Sequence, residues 1–251
     1  MFPYYTLSYS YIPIFIAFSL FFFFFSLLFF FYYLNSFFIW ISLLLLVIIL
    51  LIYFYILIIE TLYLGYLTNI IKIMIKHGFI LFIISEVMLF SGFLASYYNI
   101  LFINSFHLPY YNLFNVFSIP LLNTLLLLIS GVSLTCSHYI FLYKYKTLSL
   151  FYLLITILLG LFFLSFQFIE YNLSFFSIAD GWYGALFFLI TGFHGLHVFV
   201  GLIFLIYVYV RMYFSHFNLS SHLLFEFAIW YWHFVDVVWI FVYFSLYYLV
   251  Y

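Results

Sequence analysis

Phe37-Phe-Ile-Trp-Ile-Ser-Leu-Leu-Leu-Leu-Val-Ile-Ile-Leu-Leu-Ile-Tyr-Phe-Tyr-Ile-Leu-Ile-Ile59 contains no charged residue and only one hydroxyl outside its aromatics. A helix rises 1.5 Å per residue, so about 20 such residues cross the ~30 Å hydrocarbon layer of a bilayer. The run therefore reads as a membrane-spanning helix. Ile14–Leu34, just before it, is of the same kind, and Asn35-Ser36 between them is a tight turn. Working outward, seven spans fit, at roughly 13–34, 37–60, 72–103, 118–143, 148–170, 181–213 and 227–250. The polar and apolar alternation of a transmembrane barrel is absent, which leaves an all-α polytopic membrane protein. Neither an internal repeat nor a second domain is visible, so residues 1–251 read as a single transmembrane domain.

Composition agrees. With 71% hydrophobic and 4% charged residues, the chain has too little polar surface to cover a water-soluble globule. Its net charge of −1 argues against nucleic acid as a partner. One cysteine, Cys136, excludes an intrachain disulfide and any dicopper site that needs two thiolates. The start, Met1-Phe-Pro-Tyr-Tyr-Thr6, has neither a basic region nor a cleavage signal, so no removable targeting segment is expected. The excess of Phe, Tyr, Ile and Leu over Ala and Gly is what AT-biased codons produce, as in an organelle genome.

Topology follows from the cations. Lys72 and Lys76 lie between spans two and three, Lys144 and Lys146 between four and five, and Arg211 at the end of span six. With seven spans all of them fall on the side of the N-terminus. The positive-inside rule makes that side the matrix or cytoplasm.

Ionisable groups inside the spans are costly and need a reason. Trp230-Tyr-Trp-His-Phe-Val-Asp-Val-Val-Trp239 places His233 and Asp236 within the last span. On a 3.6-residue period Trp232, Asp236 and Trp239 share one stripe, and Glu226, Trp230 and His233 a second beside it. His233 and Asp236 either pair locally or each finds a partner on another helix; Glu226 reads as a cap. In span three, Glu86 has only Phe82, Ile83, Leu89 and Phe90 as helical neighbours. It is expected to stay a neutral acid unless another helix supplies a cation or donor. It reads either as a proton-handling group or as polar packing glue. Span six carries Thr191-Gly-Phe-His-Gly-Leu-His197, with Gly201 one turn on. Gly192, Gly195 and Gly201 suit close helix packing, with His194 and His197 between them. The alternative, a haem or metal site using His138, His194, His197 and His233, lacks the Glu-x-x-His pairs of di-metal bundles. No metal ligand set and no catalytic residue is therefore expected. Asp180, before span six, reads as an ordinary N-cap.

Together, Gly78-Phe-Ile-Leu-Phe-Ile-Ile-Ser-Glu-Val87, Pro120-Leu-Leu-Asn-Thr124, Ser130-Gly-Val-Ser-Leu-Thr135, Asp180-Gly-Trp-Tyr-Gly184, Thr191 to Val198 and Tyr231 to Trp239 occur in an order that resembles subunit III of the haem-copper cytochrome c oxidases. The resemblance implies two helices splayed from a five-helix bundle, with a cleft holding structural phospholipid: phosphatidylglycerol, phosphatidylethanolamine or cardiolipin. It implies packing against subunit I and other subunits of the complex, no cofactor in this chain, and support of proton uptake by its neighbour. It also implies a multi-pass location in the mitochondrial inner membrane, and lipid contacts at Glu60, Arg211, His216 and His222. The chain departs from the family at Tyr53–Ile59, at Gly65-Tyr-Leu-Thr68 and at His138-Tyr139, where the family has further cations or histidines. A reading from another class is a stand-alone transporter or channel using Glu86 and Asp236, although broken helices and inverted repeats are not seen.

Overall fold

A backbone in hydrocarbon must satisfy its own hydrogen bonds, and long apolar runs do so as helices. The computed structural model describes residues 10–34, 36–62, 69–103, 116–218 and 222–249, excepting the side chains of 57, 58 and 60–62. Its helices are α1 (Ile12–Tyr33), α2 (Phe37–Leu62), α3 (Asn69–Ile103), α4 (Ile119–Leu142), α5 (Lys146–Leu173), α6 (Gly181–Tyr213) and α7 (Leu223–Tyr243), which runs into a π-helical turn over Phe244–Tyr248. All seven are long and apolar enough to cross a membrane. At 35 and 33 residues, α3 and α6 extend to about 50 Å, longer than the hydrocarbon layer is thick.

The chain divides into two compact units, Met1–Gly78 and Phe79–Tyr251. In the first, Pro13 sits in the opening turn of α1, where a missing N–H costs nothing. Leu34 ends the helix in the left-handed region at φ 54°, its N–H donating to the Phe30 carbonyl. α2 then folds back along α1. The buried hydroxyls of Ser26 and Ser42 meet at 2.7 Å across the pair, and Phe29 packs edge-on to Phe38. Small hydroxylated residues let two otherwise apolar helices approach while bonding each other.

In the second unit the tightest seam joins α4 to α5. Ser137 Oγ donates to the Ser149 carbonyl and Ser149 Oγ to the Ser137 carbonyl, at 2.9 and 2.8 Å. One turn away on α4 and two on α5, the Ser133 and Thr156 hydroxyls meet at 2.8 Å. Each such interhelical bond contributes about 0.6 kcal/mol in a membrane, so the ladder fixes register more than it supplies stability.

α7 is the most enclosed helix, and Trp232 at its centre shows why. The indole is fully buried, its Nε1–H donates to Ser130 Oγ on α4 at 2.9 Å, and its ring lies against glycines of two other helices. A Cβ at Gly160 of α5 would stand 2.7 Å from Trp232 Cη2, and one at Gly201 of α6 would stand 3.0 Å from Cε3. One large side chain thus indexes four helices. At the far end, tyrosines satisfy carbonyls of the π-helical turn: Tyr97 donates to Ser245 O and Tyr183 to Leu246 O, while Tyr98 meets the Ser245 hydroxyl.

Candidate functional site

The polar residues of the last span meet α4. His233 Nδ1 lies 3.6 Å from Asp236 Oδ2, with side-chain exposures of 39% and 7%. The two are local partners in electrostatic contact, slightly beyond hydrogen-bond length. Both lie over Gly131 of α4, where a Cβ would come within 2.6 Å of Asp236 Oδ2 and 3.4 Å of the imidazole. Gly131 is therefore the space that admits the carboxylate between the helices. His233 also lines an apolar groove of about 540 Å³ between α3 and α7, with Ile83, Val87, Phe90 and Phe241 among its walls.

Glu86 does find a partner on another helix. His197 Nε2 of α6 stands 3.0 Å from Glu86 Oε2. The other ring nitrogen, Nδ1, is 2.7 Å from the Phe193 carbonyl. A carbonyl only accepts, so Nδ1 carries a proton. A neutral imidazole of that tautomer offers Nε2 as an acceptor, which matches a protonated Glu86 donating to it. The other arrangement is an imidazolium donating to a carboxylate. Either arrangement makes one hydrogen bond across the Nε2–Oε2 contact and joins α6 to α3. Glu86 keeps 22% of its side chain exposed, so the pair lies at the edge of the helix packing.

His194, one turn earlier on α6, is fully enclosed. Its Nε2–H donates to the Val235 carbonyl of α7 at 3.2 Å, and its ring lies between Phe163 and Trp239. Of the α6 glycines, Gly201 takes Trp232 and Tyr231 at close range, while Gly192 and Gly195 have nothing within 4 Å of where a Cβ would stand. Among the described residues no three of His, Cys, Asp and Glu gather in a way that could hold a metal.

Asp180 corrects the capping expectation. It precedes α6, yet its carboxylate accepts from the Ser177 N–H at 2.7 Å and the Ser177 hydroxyl at 2.9 Å, not from the first turn of the helix. Gly181, at φ 84°, turns the chain into the helix and leaves the carboxylate facing back. The Ser177 N–H and then its hydroxyl hold the Asp180 carboxyl below the usual carboxylate range. Glu170 is buried at the end of α5 opposite the Tyr247 hydroxyl of the π-helical turn.

Comparison with known proteins places this arrangement. The family model described as cytochrome c oxidase subunit III matches residues 2–251. The chain belongs to the cytochrome c oxidase subunit III family. Cytochrome c oxidase subunit 3 of Rattus norvegicus is 45% identical over 199 residues, spanning 75% of this chain and 74% of its own. The Petromyzon marinus protein is 44% identical over 194 residues with the same shares, and that of Mus musculus 44% over 199. The chain is thus a subunit of cytochrome c oxidase, a multi-pass membrane protein of the respiratory chain with other subunits of that complex as its partners.

The residues that the subunit III resemblance marks for lipid divide by position. The side chain of Glu60 lies outside the described residues. Arg211, in the last turn of α6, is half-buried with its guanidinium over the rings of Tyr207 and Phe217 at 5.9 and 5.3 Å. His216 is exposed beside Phe214. His222 is turned inward, 3.4 Å from Glu226 and packed on His138 and Phe141. Arg211 and His222 are linked through one aromatic layer, since Phe141 contacts both Phe217 and His222.

Proposed function

We propose that this chain is a non-catalytic, mitochondrially encoded core subunit of cytochrome c oxidase in the mitochondrial inner membrane, with its N-terminus on the matrix side. It packs against subunit I, binds phospholipid, and supports electron transfer to oxygen coupled to proton translocation in that neighbour. The observation that carries this reading is how the polar groups are used. His194 reaches from α6 to a backbone carbonyl of α7, His197 clamps α6 to α3, and His233 with Asp236 seats α7 on α4. Side chains committed to holding helices together act as anchors, which suits a subunit whose chemistry is done next door. Family membership favours this over a stand-alone transporter.

The Glu86–His197 pair acts as a hydrogen-bonded clamp between α3 and α6, costing less to bury than an unpartnered carboxyl. Arg211, with Glu60 and His216, contacts lipid headgroups at the membrane surface, phosphatidylglycerol, phosphatidylethanolamine or cardiolipin, and the inward-turned His222 backs Arg211 through Phe141 and Phe217. Gly192 and Gly195 face a helix of another subunit, because small residues in lipid-exposed helices let a partner backbone approach. The flanking Leu196 and Phe199 are exposed in this chain and would be covered there.

The test is co-purification. Replacing Gly192 and Gly195 together by leucine should leave the helical content of this subunit unchanged while sharply reducing recovery of the haem- and copper-bearing partner. Undiminished recovery would refute the docking face. Stoichiometric haem in the optical spectrum of the isolated subunit would refute the non-catalytic reading.

A further inference from the structure

Four buried side chains of the second unit carry polar atoms with no hydrogen-bonding partner among the described residues. These are both atoms of the Gln167 amide, both oxygens of Glu170, Nδ1 of His194 and Nε1 of Trp239. They converge on one place. Gln167 and Glu170 lie on the same face of α5, with Phe163 one turn before Gln167. Phe163 stands edge-on to His194 and to Trp239, whose own rings are 4.8 Å apart. Trp239 leads on to Tyr247, which faces Glu170. We propose that this locus, between α5, α6 and α7, binds a small cluster of water molecules.

A buried donor or acceptor without a partner forfeits its hydration, and in native structures such groups are bonded to protein or to ordered water. The hydroxyls nearby are already committed. Tyr171, beside Gln167, donates to Thr191 Oγ1 at 2.7 Å, and Thr191 donates to the Phe187 carbonyl. Tyr183 donates to the Leu246 carbonyl. Tyr247 has one O–H to offer, whereas a carboxylate has roughly four acceptor positions. The α4–α5 seam differs in kind, since its buried hydroxyls bond one another.

The chemistry of the groups selects the ligand. His194 donates from Nε2 to the Val235 carbonyl, which in a neutral imidazole leaves Nδ1 as an acceptor. The indole of Trp239 beside it only donates, and the Gln167 amide does both. A metal ion would face the indole and amide N–H groups, and an anion would face the Glu170 oxygens. Water donates and accepts, and a buried molecule typically makes about three such bonds.

The experiment is X-ray radiolysis of the intact oxidase complex followed by mass spectrometry, in which bound water generates hydroxyl radical beside the side chains it touches. Trp232 is the internal control, because it is also buried but its N–H is satisfied by Ser130 at 2.9 Å. Trp239 should be oxidised several-fold more than Trp232. In a complex carrying Gln167→Leu, which removes one wall of partners, Trp239 oxidation should fall towards that of Trp232. Equal oxidation of the two tryptophans in the native complex overturns the proposal, as does labelling of Trp239 that Gln167→Leu leaves unchanged. The denaturant midpoint of the same variant is a second measure. At a hydrated site the leucine strips the water of partners and lowers the midpoint, whereas at a dry site it removes an orphaned amide and raises it. A raised midpoint therefore also overturns the proposal. If Gln167→Leu fails to assemble, the comparison of the two tryptophans in the native complex decides alone.

Discussion

Gly160→Ala tests whether Trp232 is locked in place. In an open stretch of helix this substitution stabilises by about 0.5–1 kcal/mol, because glycine loses more backbone entropy on folding. At Gly160 the added methyl would meet Leu202 Cδ2 at 2.7 Å, Trp232 Cη2 at 2.7 Å and Cζ2 at 3.1 Å. The indole cannot retreat freely, since Ser130 holds its nitrogen and Gly201 contacts its opposite edge. Overpacking a site of this kind costs about 1–3 kcal/mol, which offsets the entropic gain and leaves a net loss of up to about 2.5 kcal/mol. Trp232→Phe removes the atoms that clash and the bond to Ser130, and should itself cost about 1–2 kcal/mol. In the double variant the clash with the indole is relieved while the contact with the flexible end of Leu202 remains, so its cost should fall below the sum of the singles by about 1 kcal/mol. Gly92→Ala is the control, as nothing lies within 4 Å of a Cβ there. The assay is the denaturant midpoint for loss of tertiary signal from the subunit within the purified complex. If Gly160→Ala proves as harmless as Gly92→Ala, or if the two site changes simply add, Trp232 is not the pivot of the four helices.

Glu86→Gln should preserve assembly and electron transfer, because the amide can still donate to His197 Nε2 or accept from it; proton translocation lost with electron transfer intact would show that the pair does more than clamp helices. Arg211→Ala should lower the phospholipid retained by the complex, measured by mass spectrometry of extracted lipid, and unchanged lipid content would remove the residue from the proposed headgroup site. The Asp180 carboxyl is held below its unfolded range, so its contribution to the turn before α6 is present above the unfolded value near 3.9 and is lost as pH falls through the lower folded value. The protection factor of the Ser177 amide, its exchange rate set against the intrinsic rate at the same pH, should accordingly fall on acidification, and Asp180→Asn should remove that pH dependence; a protection factor that is flat with pH would contradict the hydrogen-bond assignment.

The seven helices were legible because a hydrocarbon layer imposes a length and a composition on each element, and runs such as Phe37–Ile59 meet both with no help from the rest of the chain. The stripes on the last span singled out Trp232, Asp236 and His233; Trp232 and Asp236 are buried, while the His233 side chain stays 39% exposed. Asp180 was misread as a helix cap because its position alone suggests one; the left-handed Gly181 that redirects its carboxylate is a conformation, which composition does not report.

Partnership was decided only in three dimensions. Glu86 and His197 are separated by 111 residues, and nothing in the spacing of either helix names the other. Gly160 looks like any glycine in an apolar run until Trp232 is found against it. The physical reason is that burial in a membrane is a property of a single segment against its solvent, set by each residue in turn. Which buried group meets which depends on helix rotation and register, and these are set by contacts among α4, α5, α6 and α7 together. The amino-acid sequence by itself determined that the chain is a seven-helix membrane protein with a few costly polar groups inside; the tertiary structure decided that those groups hold one another.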